Sequence, residues 1–287
     1  MFDASPVQRS VTERSLAFKT EDGAELVGRL YRPAQRPFAA VVLNSATGVP
    51  QTFYTHFARW MAAERGMAVL TYDYRGMGRS TAGPLRKVRA DMSDWGIRDQ
   101  VAARRAIRRE IQGTPLWIVG HSLGAMLLPN QPELDGVVRV IGVSSGIVHH
   151  HDHPWPYRAV ALNFWFTLGP LATLVCGYLP GKALRMGEDL PADVFWQWRK
   201  WCTSRTFYDA DLGPRLPAPD WNSDATVRLH AFTDDELIPP AQTARLARVY
   251  GVEPVVIDPK AYGLGKIGHV GAFSRRNRAL WPVLLEG

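Results

Sequence analysis

The segment Gly120-His121-Ser122-Leu123-Gly124 decides how the rest of the sequence is interpreted. It follows the apolar run 115–120, which is typical of a strand covered on both faces, and it precedes a helical pattern. Glycine two residues before and after the serine lets a strand and a helix pack at a sharp turn without a Cβ clash. The helix start would then point free N–H groups at a developing negative charge. We expect Ser122 to be a nucleophile; the alternative is a tight turn in which Ser122 only caps the helix.

Apolar strands and helices alternate on both sides of this segment. Residues 12–19 and 25–32 predict a hairpin joined at Glu21-Asp22-Gly23. Such alternation implies right-handed crossovers, and hence an α/β fold with a mostly parallel central sheet and helices on both faces. The remaining expected elements are strands at 38–44, 67–72, 115–120, 137–144, 226–232 and 253–258, and helices at 52–63, 94–111, 240–249 and 273–285.

Residues 147–224 interrupt this order and predict a helical, aromatic-rich lid or cap inserted after a sheet strand. Residues 1–146 and 225–287 would then form one core domain. Within the insert, residues 159–181 carry no charge and are long enough to span a bilayer. Because Gly169-Pro170 interrupts this stretch, we expect two short buried or lid helices and no transmembrane segment.

The formal net charge of +7 comes in part from an arginine cluster on the helix expected at 94–111. Its members, expected on a solvated face, are Arg104, Arg105, Arg108 and Arg109. No recognisable groove-reading element or aromatic group accompanies them, so no nucleic-acid partner is expected. Attraction to anionic lipid, and with it peripheral membrane contact, stays open.

The start of the sequence lacks a basic segment followed by an apolar core, so no secretory signal is expected. Cys176 and Cys202 are too few for a disulfide framework. Reduced thiols and a cytoplasmic location are therefore expected.

Further motifs carry a resemblance to a known family. Asp73-Tyr74-Arg75-Gly76-Met77-Gly78-Arg79-Ser80 resembles a turn that follows the fourth strand in many members of the α/β-hydrolase superfamily. The serine segment fits the same superfamily, and the resemblance covers nearly the whole chain. Asn44-Ser45-Ala46-Thr47-Gly48 stands where many members have His-Gly. Ala46-Thr47-Gly48-Val49 with Phe53-Tyr54 resembles a bacterial branch of hydrolases near the serine aminopeptidases and esterases.

The resemblance implies a catalytic triad in the order Ser, Asp or Glu, His. Asp235 follows the strand expected at 226–232 and would be the acid, with Asp234 as its competitor. His269 lies in the glycine-flanked loop 267–271 and would be the general base.

The resemblance also implies an oxyanion hole. The backbone N–H groups of Leu123 and Ala46 would form the hole, with Thr47 as the alternative to Ala46. The aromatic side chains of the insert would form either a small lid core or the wall of an apolar acyl pocket, and the residues expected in the pocket are Thr47, His121, Trp155, Trp165 and Trp198.

A histidine cluster at 149–153 surrounds Asp152. Imidazole and carboxylate groups are zinc ligands, but adjacent side chains on an extended loop point in opposite directions. We therefore expect no metal and no other cofactor, and we interpret this segment as the hinge into the lid. Its members are His149, His150, His151 and His153.

These expectations describe a serine hydrolase that cleaves a carboxylic ester or thioester through an acyl-Ser122 intermediate. Its substrate would be a small acyl compound that is partly apolar. An acyltransferase with the same triad and a non-catalytic binding protein of the same fold are the alternatives. Dehalogenase and epoxide hydrolase chemistry would require an aspartate at position 122, so Ser122 disfavours both. The oligomeric state stays open.

Overall fold

The computed structural model describes residues 10–213 and 215–286, and in this part of the chain an eight-stranded sheet forms the centre. Residues 1–9, on which the expectation about a secretory signal rests, lie outside the described residues. The strands are β1 Val11–Lys19, β2 Glu25–Pro33, β3 Ala39–Asn44, β4 Met67–Tyr72, β5 Leu116–His121, β6 Val137–Val143, β7 Tyr178–Leu179, β8 Leu190–Pro191, β9 Thr226–Phe232 and β10 Val255–Ile257.

The order of strands across the sheet is β1-β2-β4-β3-β5-β6-β9-β10. The pairs β1–β2 and β2–β4 are antiparallel, and every later pair is parallel. The predicted mostly parallel sheet is therefore confirmed. The strands β7 and β8 pair only with each other, outside this sheet.

Helices cover both faces of the sheet, as predicted. They are α1 Thr55–Arg65, α2 over residues 92–110, α3 Leu123–Met126, α4 Tyr157–Cys176, α5 Ala192–Thr203, α6 Pro240–Tyr250 and α7 Trp281–Leu285. Successive strand residues point to opposite faces, so Val41 belongs to the core that holds side chains of α1 and α7, whereas Val42 belongs to the core that holds side chains of α2 and α6. The sheet thus separates two hydrophobic cores.

Residues 144–225 leave the sheet between β6 and β9 and contain α4, the β7–β8 pair and α5. The predicted break at Gly169-Pro170 is wrong, because α4 runs through both residues. Proline lacks an N–H and crowds the preceding turn, and Phe164–Leu168 widen into a π-helical turn that accommodates it. By length and composition alone, α4 could cross a membrane.

Arg104 departs from the solvated face predicted for its cluster. It is 1% exposed and donates hydrogen bonds to the side chain of Gln131 and to the carbonyl of Pro132. Burial lowers the pKa of Arg104 to about 10. This arginine therefore joins α2 to the segment before β6.

The buried His230 of β9 generates a prediction about pH. Its Nε2 lies 3.2 Å from the carbonyl of Leu284, its Nδ1 has no partner among the described residues, and burial lowers its pKa to about 4. Below about pH 6.5 the unfolded chain binds a proton that the folded chain excludes, so stability falls as the pH falls. Between pH 7 and pH 5 this one group costs about 2 kcal/mol.

We expect His230→Gln to reduce the loss of unfolding free energy between pH 7 and pH 5 by about 2 kcal/mol, measured by urea denaturation at both values. His56→Gln, at an exposed position of α1, is the control and should leave that loss unchanged. An equal loss in wild type and His230→Gln would contradict the assignment of a neutral His230.

Candidate active site

Ser122 stands on a strained turn between β5 and α3. Its φ of 54° and ψ of −114° lie outside the regions that L-residues prefer. Its N–H donates to the carbonyl of Val143 at 2.9 Å. A Cβ added at Gly120 would stand 2.4 Å from the backbone of Gly124, and one added at Gly124 would stand 2.2 Å from the oxygen of Asn44. Both glycines are therefore required by the close backbone approach.

His269 and Asp235 meet beside this turn. His269 Nδ1 lies 3.0 Å from Asp235 Oδ2, and Asp235 Oδ1 accepts hydrogen bonds from the N–H groups of Leu237 and Ile238, both at 2.9 Å. Burial alone would raise the pKa of Asp235, but its net shift is downward because His269 and the Ile238 amide stabilise the carboxylate. An ionised Asp235 can therefore hold a proton on His269 Nδ1.

The neighbouring Asp234 has a different set of partners. Its two carboxylate oxygens accept the N–H groups of Ile267 at 2.7 Å and Gly268 at 3.1 Å. Asp234 thus fixes the backbone of the loop that carries His269, whereas Asp235 contacts the imidazole itself. The sequence left these two aspartates as alternatives and had no signal for a loop-anchoring role.

The expectation that Ala46 supplies an oxyanion amide is corrected by the structure. The Ala46 N–H donates to the hydroxyl of Tyr54 at 3.0 Å and is therefore occupied. The alternative, Thr47, lines the same cavity as Ser122, and its N–H has no acceptor within residues 10–213 and 215–286. Leu123 is the first residue of α3, so its N–H has no intrahelical partner. The candidate oxyanion amides are thus those of Leu123 and Thr47.

Tyr54 and His121 form a buried chain of hydrogen bonds under the candidate site. The Tyr54 oxygen accepts from the Ala46 N–H, and because a neutral His121 that donates from Nε2 has an unprotonated Nδ1, the Tyr54 O–H donates to that nitrogen at 2.7 Å. His121 Nε2–H then donates to the carbonyl of His269 at 2.9 Å. Burial lowers the pKa of His121 to about 3, so the ring is neutral. This chain of hydrogen bonds joins the loop after β3 to the loop of His269. Tyr54 belongs to the Phe53-Tyr54 pair on which the sequence resemblance partly rests.

An apolar cavity of about 320 Å³ lies above Ser122. Ser122 and His269 both line it, as do three of the residues expected in the pocket, Thr47, Trp165 and Trp198. The other two expectations are wrong: His121 is fully buried beneath the cavity, and Trp155 stands in solvent outside it. Most of the wall comes from the insert and from hydrophobic side chains, including Met126, Val148, Ala161, Phe164, Leu184 and Phe207.

The rings of His149, His150 and His151 lie against one another, with ring centres 4.0 to 5.3 Å apart, so the expectation that adjacent side chains point in opposite directions is wrong for these three. His150 Nδ1 lies 3.3 Å from the carbonyl of Cys202, and His153 Nδ1 lies 3.1 Å from the carbonyl of Glu236. Asp152 accepts hydrogen bonds from Arg245 of α6. Among the described residues, no group of three or more His, Cys, Asp or Glu side chains is arranged to hold a metal ion.

A family model described as "Alpha/beta hydrolase family" matches residues 40–276. Among solved structures, the chain is similar to a hypothetical protein from Pseudomonas aeruginosa, at 16% identity, 98% coverage of this chain, 95% of that chain and a TM-score of 0.63. It is also similar to an esterase from Pyrococcus furiosus, at 13% identity, coverages of 99% and 92% and a TM-score of 0.59.

A third similar structure is a thioesterase domain from the curacin biosynthetic pathway, at 17% identity, coverages of 96% and 100% and a TM-score of 0.55. At these identities the likeness shows the fold alone. No curated protein matches the sequence.

The chain of hydrogen bonds through Tyr54 predicts a measurable contribution to stability. Tyr54→Phe would leave the Ala46 N–H and His121 Nδ1 without partners in a buried place, which costs about 2 kcal/mol. Tyr31→Phe is the matched control, because Tyr31 lies in the same core and its hydroxyl makes a long contact, 3.4 Å, with Thr55. We expect the control to lose less than about 1 kcal/mol in chemical denaturation. Equal losses in the two variants would argue against the proposed chain.

Proposed function

The chain belongs to the α/β-hydrolase family, and from this premise we propose that it cleaves a carboxylic ester or thioester through an acyl-Ser122 intermediate. One observation carries the proposal: His269 Nδ1 lies 3.0 Å from the buried carboxylate of Asp235, at the wall of the cavity that Ser122 also lines. A serine, a histidine and an orienting carboxylate in these positions are the parts that acyl transfer requires.

In the first half of the reaction, Ser122 Oγ attacks the acyl carbonyl while His269 Nε2 takes the hydroxyl proton. Asp235 holds the tautomer with a proton on Nδ1 and stabilises the imidazolium that forms. The negative oxygen of the tetrahedral intermediate lies between the N–H groups of Leu123 and Thr47, each of which contributes about 3 kcal/mol of transition-state stabilisation.

In the second half, the C–O or C–S bond breaks and His269 returns the proton to the leaving alcohol or thiol. Water then enters, His269 takes one of its protons, and the oxygen attacks the acyl-Ser122 carbonyl. Collapse of this second intermediate releases the carboxylic acid and returns the proton to Ser122 Oγ. No cofactor takes part in this scheme.

The cavity supports an apolar acyl group as the part of the substrate that is recognised. Its walls are mainly hydrophobic side chains from α4, α5 and the segment after β6, and such walls bind a chain by excluding water. Because α4 and the loop at 184–186 cover Ser122, we assign residues 147–224 the role of a lid. A cytoplasmic location stays a prediction.

Labelling with a fluorophosphonate probe tests the nucleophile. We expect wild type to be labelled, Ser122→Ala to lose labelling completely, and Asp235→Asn to lower kcat on p-nitrophenyl esters by about 10³- to 10⁴-fold, because the histidine then adopts the wrong tautomer. Ser145→Ala, a buried serine two residues beyond β6, is the matched control and should label like wild type. Labelling that survives in Ser122→Ala, or a folded wild type that neither labels nor turns over esters, would overturn the proposal in favour of a binding protein.

The acyl pocket generates a second prediction. Ala161 lines the cavity, so Ala161→Leu fills part of it, whereas Ala159→Leu adds the same side chain at an exposed position of α4. In a series of p-nitrophenyl esters of increasing length, Ala161→Leu should lower kcat/KM for the longest accepted chain by about tenfold or more and leave the acetyl ester unaffected. Ala159→Leu should keep the wild-type profile. Identical profiles for Ala161→Leu and wild type would place the acyl chain elsewhere.

A further inference from the structure

The outer face of α4 exposes apolar side chains to solvent. Leu174 is 70% exposed and Val175 is 85% exposed, although both side chains are aliphatic. We define the outer face by its exposed apolar residues, which are Val160, Phe166, Leu168, Leu171, Leu174 and Val175. A group of exposed apolar side chains on one helix marks a place where a protein meets a membrane or another protein.

Arginines border the helix at its beginning, its middle and its end. Arg158 lies in the first turn of α4. The guanidinium of Arg199 lies 5.4 Å from the centre of the Phe166 ring. Arg86 lies against Gly177, directly after the helix, where an added Cβ would stand 3.2 Å from the Arg86 Cβ. Arginine residues therefore lie near the beginning, the middle and the end of α4.

The local sequence carries no opposing charge. Residues 153–187 contain no aspartate or glutamate. The first acidic residue after this range, Glu188, pairs with Lys182 at 2.7 Å. The charge pattern around the outer face is thus complementary to an anionic surface.

The outer face is continuous with the cavity above Ser122. Val160 and Leu168 line that cavity, yet they are 59% and 42% exposed. Met186, in the loop that lies over the site, also lines the cavity and is also exposed. The apolar wall of the cavity therefore reaches the surface within the outer face.

We propose that the outer face of α4 docks on the surface of an anionic phospholipid bilayer, with the helix lying in the plane of the interface. Apolar side chains would enter the boundary between headgroups and acyl chains, and the bordering arginines would contact lipid phosphates. A spanning orientation is disfavoured because the opposite side of α4 is packed: Trp165 lies against Trp198 at 4.9 Å between ring centres and stacks on Phe195. A second copy is disfavoured because it would bring three more arginines to the same contact.

Docking in this orientation would place the cavity mouth at the lipid boundary. An acyl chain could then pass from the bilayer past Val160 and Leu168 to Ser122 without crossing water. This assignment of a membrane-held lipophilic ester or thioester as substrate rests on the proposed function, whereas the docking itself does not.

Vesicle flotation of the full chain tests the proposal. We expect wild type to float with vesicles of equal parts phosphatidylcholine and phosphatidylglycerol and to bind vesicles of phosphatidylcholine alone more weakly. In high salt, the binding to the two kinds of vesicle should become equal. The double variant Leu174→Glu/Val175→Glu should bind the mixed vesicles at least about tenfold more weakly than wild type. The control Val138→Glu/Val256→Glu changes the net charge by the same amount at exposed apolar positions of β6 and β10, and it should float like wild type.

Neither Leu174 nor Val175 lines the cavity, so the double variant should keep wild-type turnover of a water-soluble short-chain ester. The variant Ser122→Ala should bind vesicles like wild type, which separates docking from catalysis. Equal flotation of the α4 variant and its control would overturn the proposal. So would a wild type that binds no vesicles and forms a dimer that Leu174→Glu/Val175→Glu dissolves, because the outer face would then be covered by a second copy.

Discussion

The candidate site depends on how closely three backbone segments approach one another at the end of β5. Gly124 lies against the carbonyl of Asn44 in β3, and Gly120 lies against Gly124. Ser122 between them adopts a backbone conformation that costs about 1–3 kcal/mol. The strain persists because hydrogen bonds hold the turn from both neighbouring strands: Asn44 Nδ2 donates to the Gly124 carbonyl, and Ser122 N–H donates to Val143. The position of the serine is therefore a property of the sheet as a whole.

The neutrality of His121 follows from the same crowding and links the remaining parts of the site. A protonated His121 would carry its charge between two neutral hydrogen-bond partners, the Tyr54 hydroxyl and the His269 carbonyl. The ring also lies 5.2 Å from His269, so a charge on it would oppose an imidazolium there. Burial removes this conflict by keeping His121 neutral. A neutral relay can thus position the His269 loop without disturbing the charge that the proposed mechanism places on His269.

The sequence predicted the sheet well, because apolar runs of strand length and glycine spacing are local signals. It favoured Asp235 over Asp234 only by resemblance, since both follow the same strand and the direction of each side chain distinguishes them. The sequence also favoured Ala46 over Thr47. It could not show that the Ala46 N–H is taken up by the hydroxyl of Tyr54, which folds back from the next turn of the chain. Such choices depend on contacts between loops, and no periodic pattern records them.

The helix α4 shows why an apolar pattern alone left the insert ambiguous. Its inner side packs on α5 and lines the cavity, while its outer side is exposed, so both sides are apolar and no helical period appears in the sequence. A surface helix that packs on the core needs one apolar side, and a spanning helix needs all of them. A helix that closes an acyl cavity on one side and meets a lipid interface on the other needs both sides apolar and charges only at its margins. The arginines beside Phe166 and Gly177 provide that margin, which is why the surface fits an interfacial position better than a buried or a spanning one.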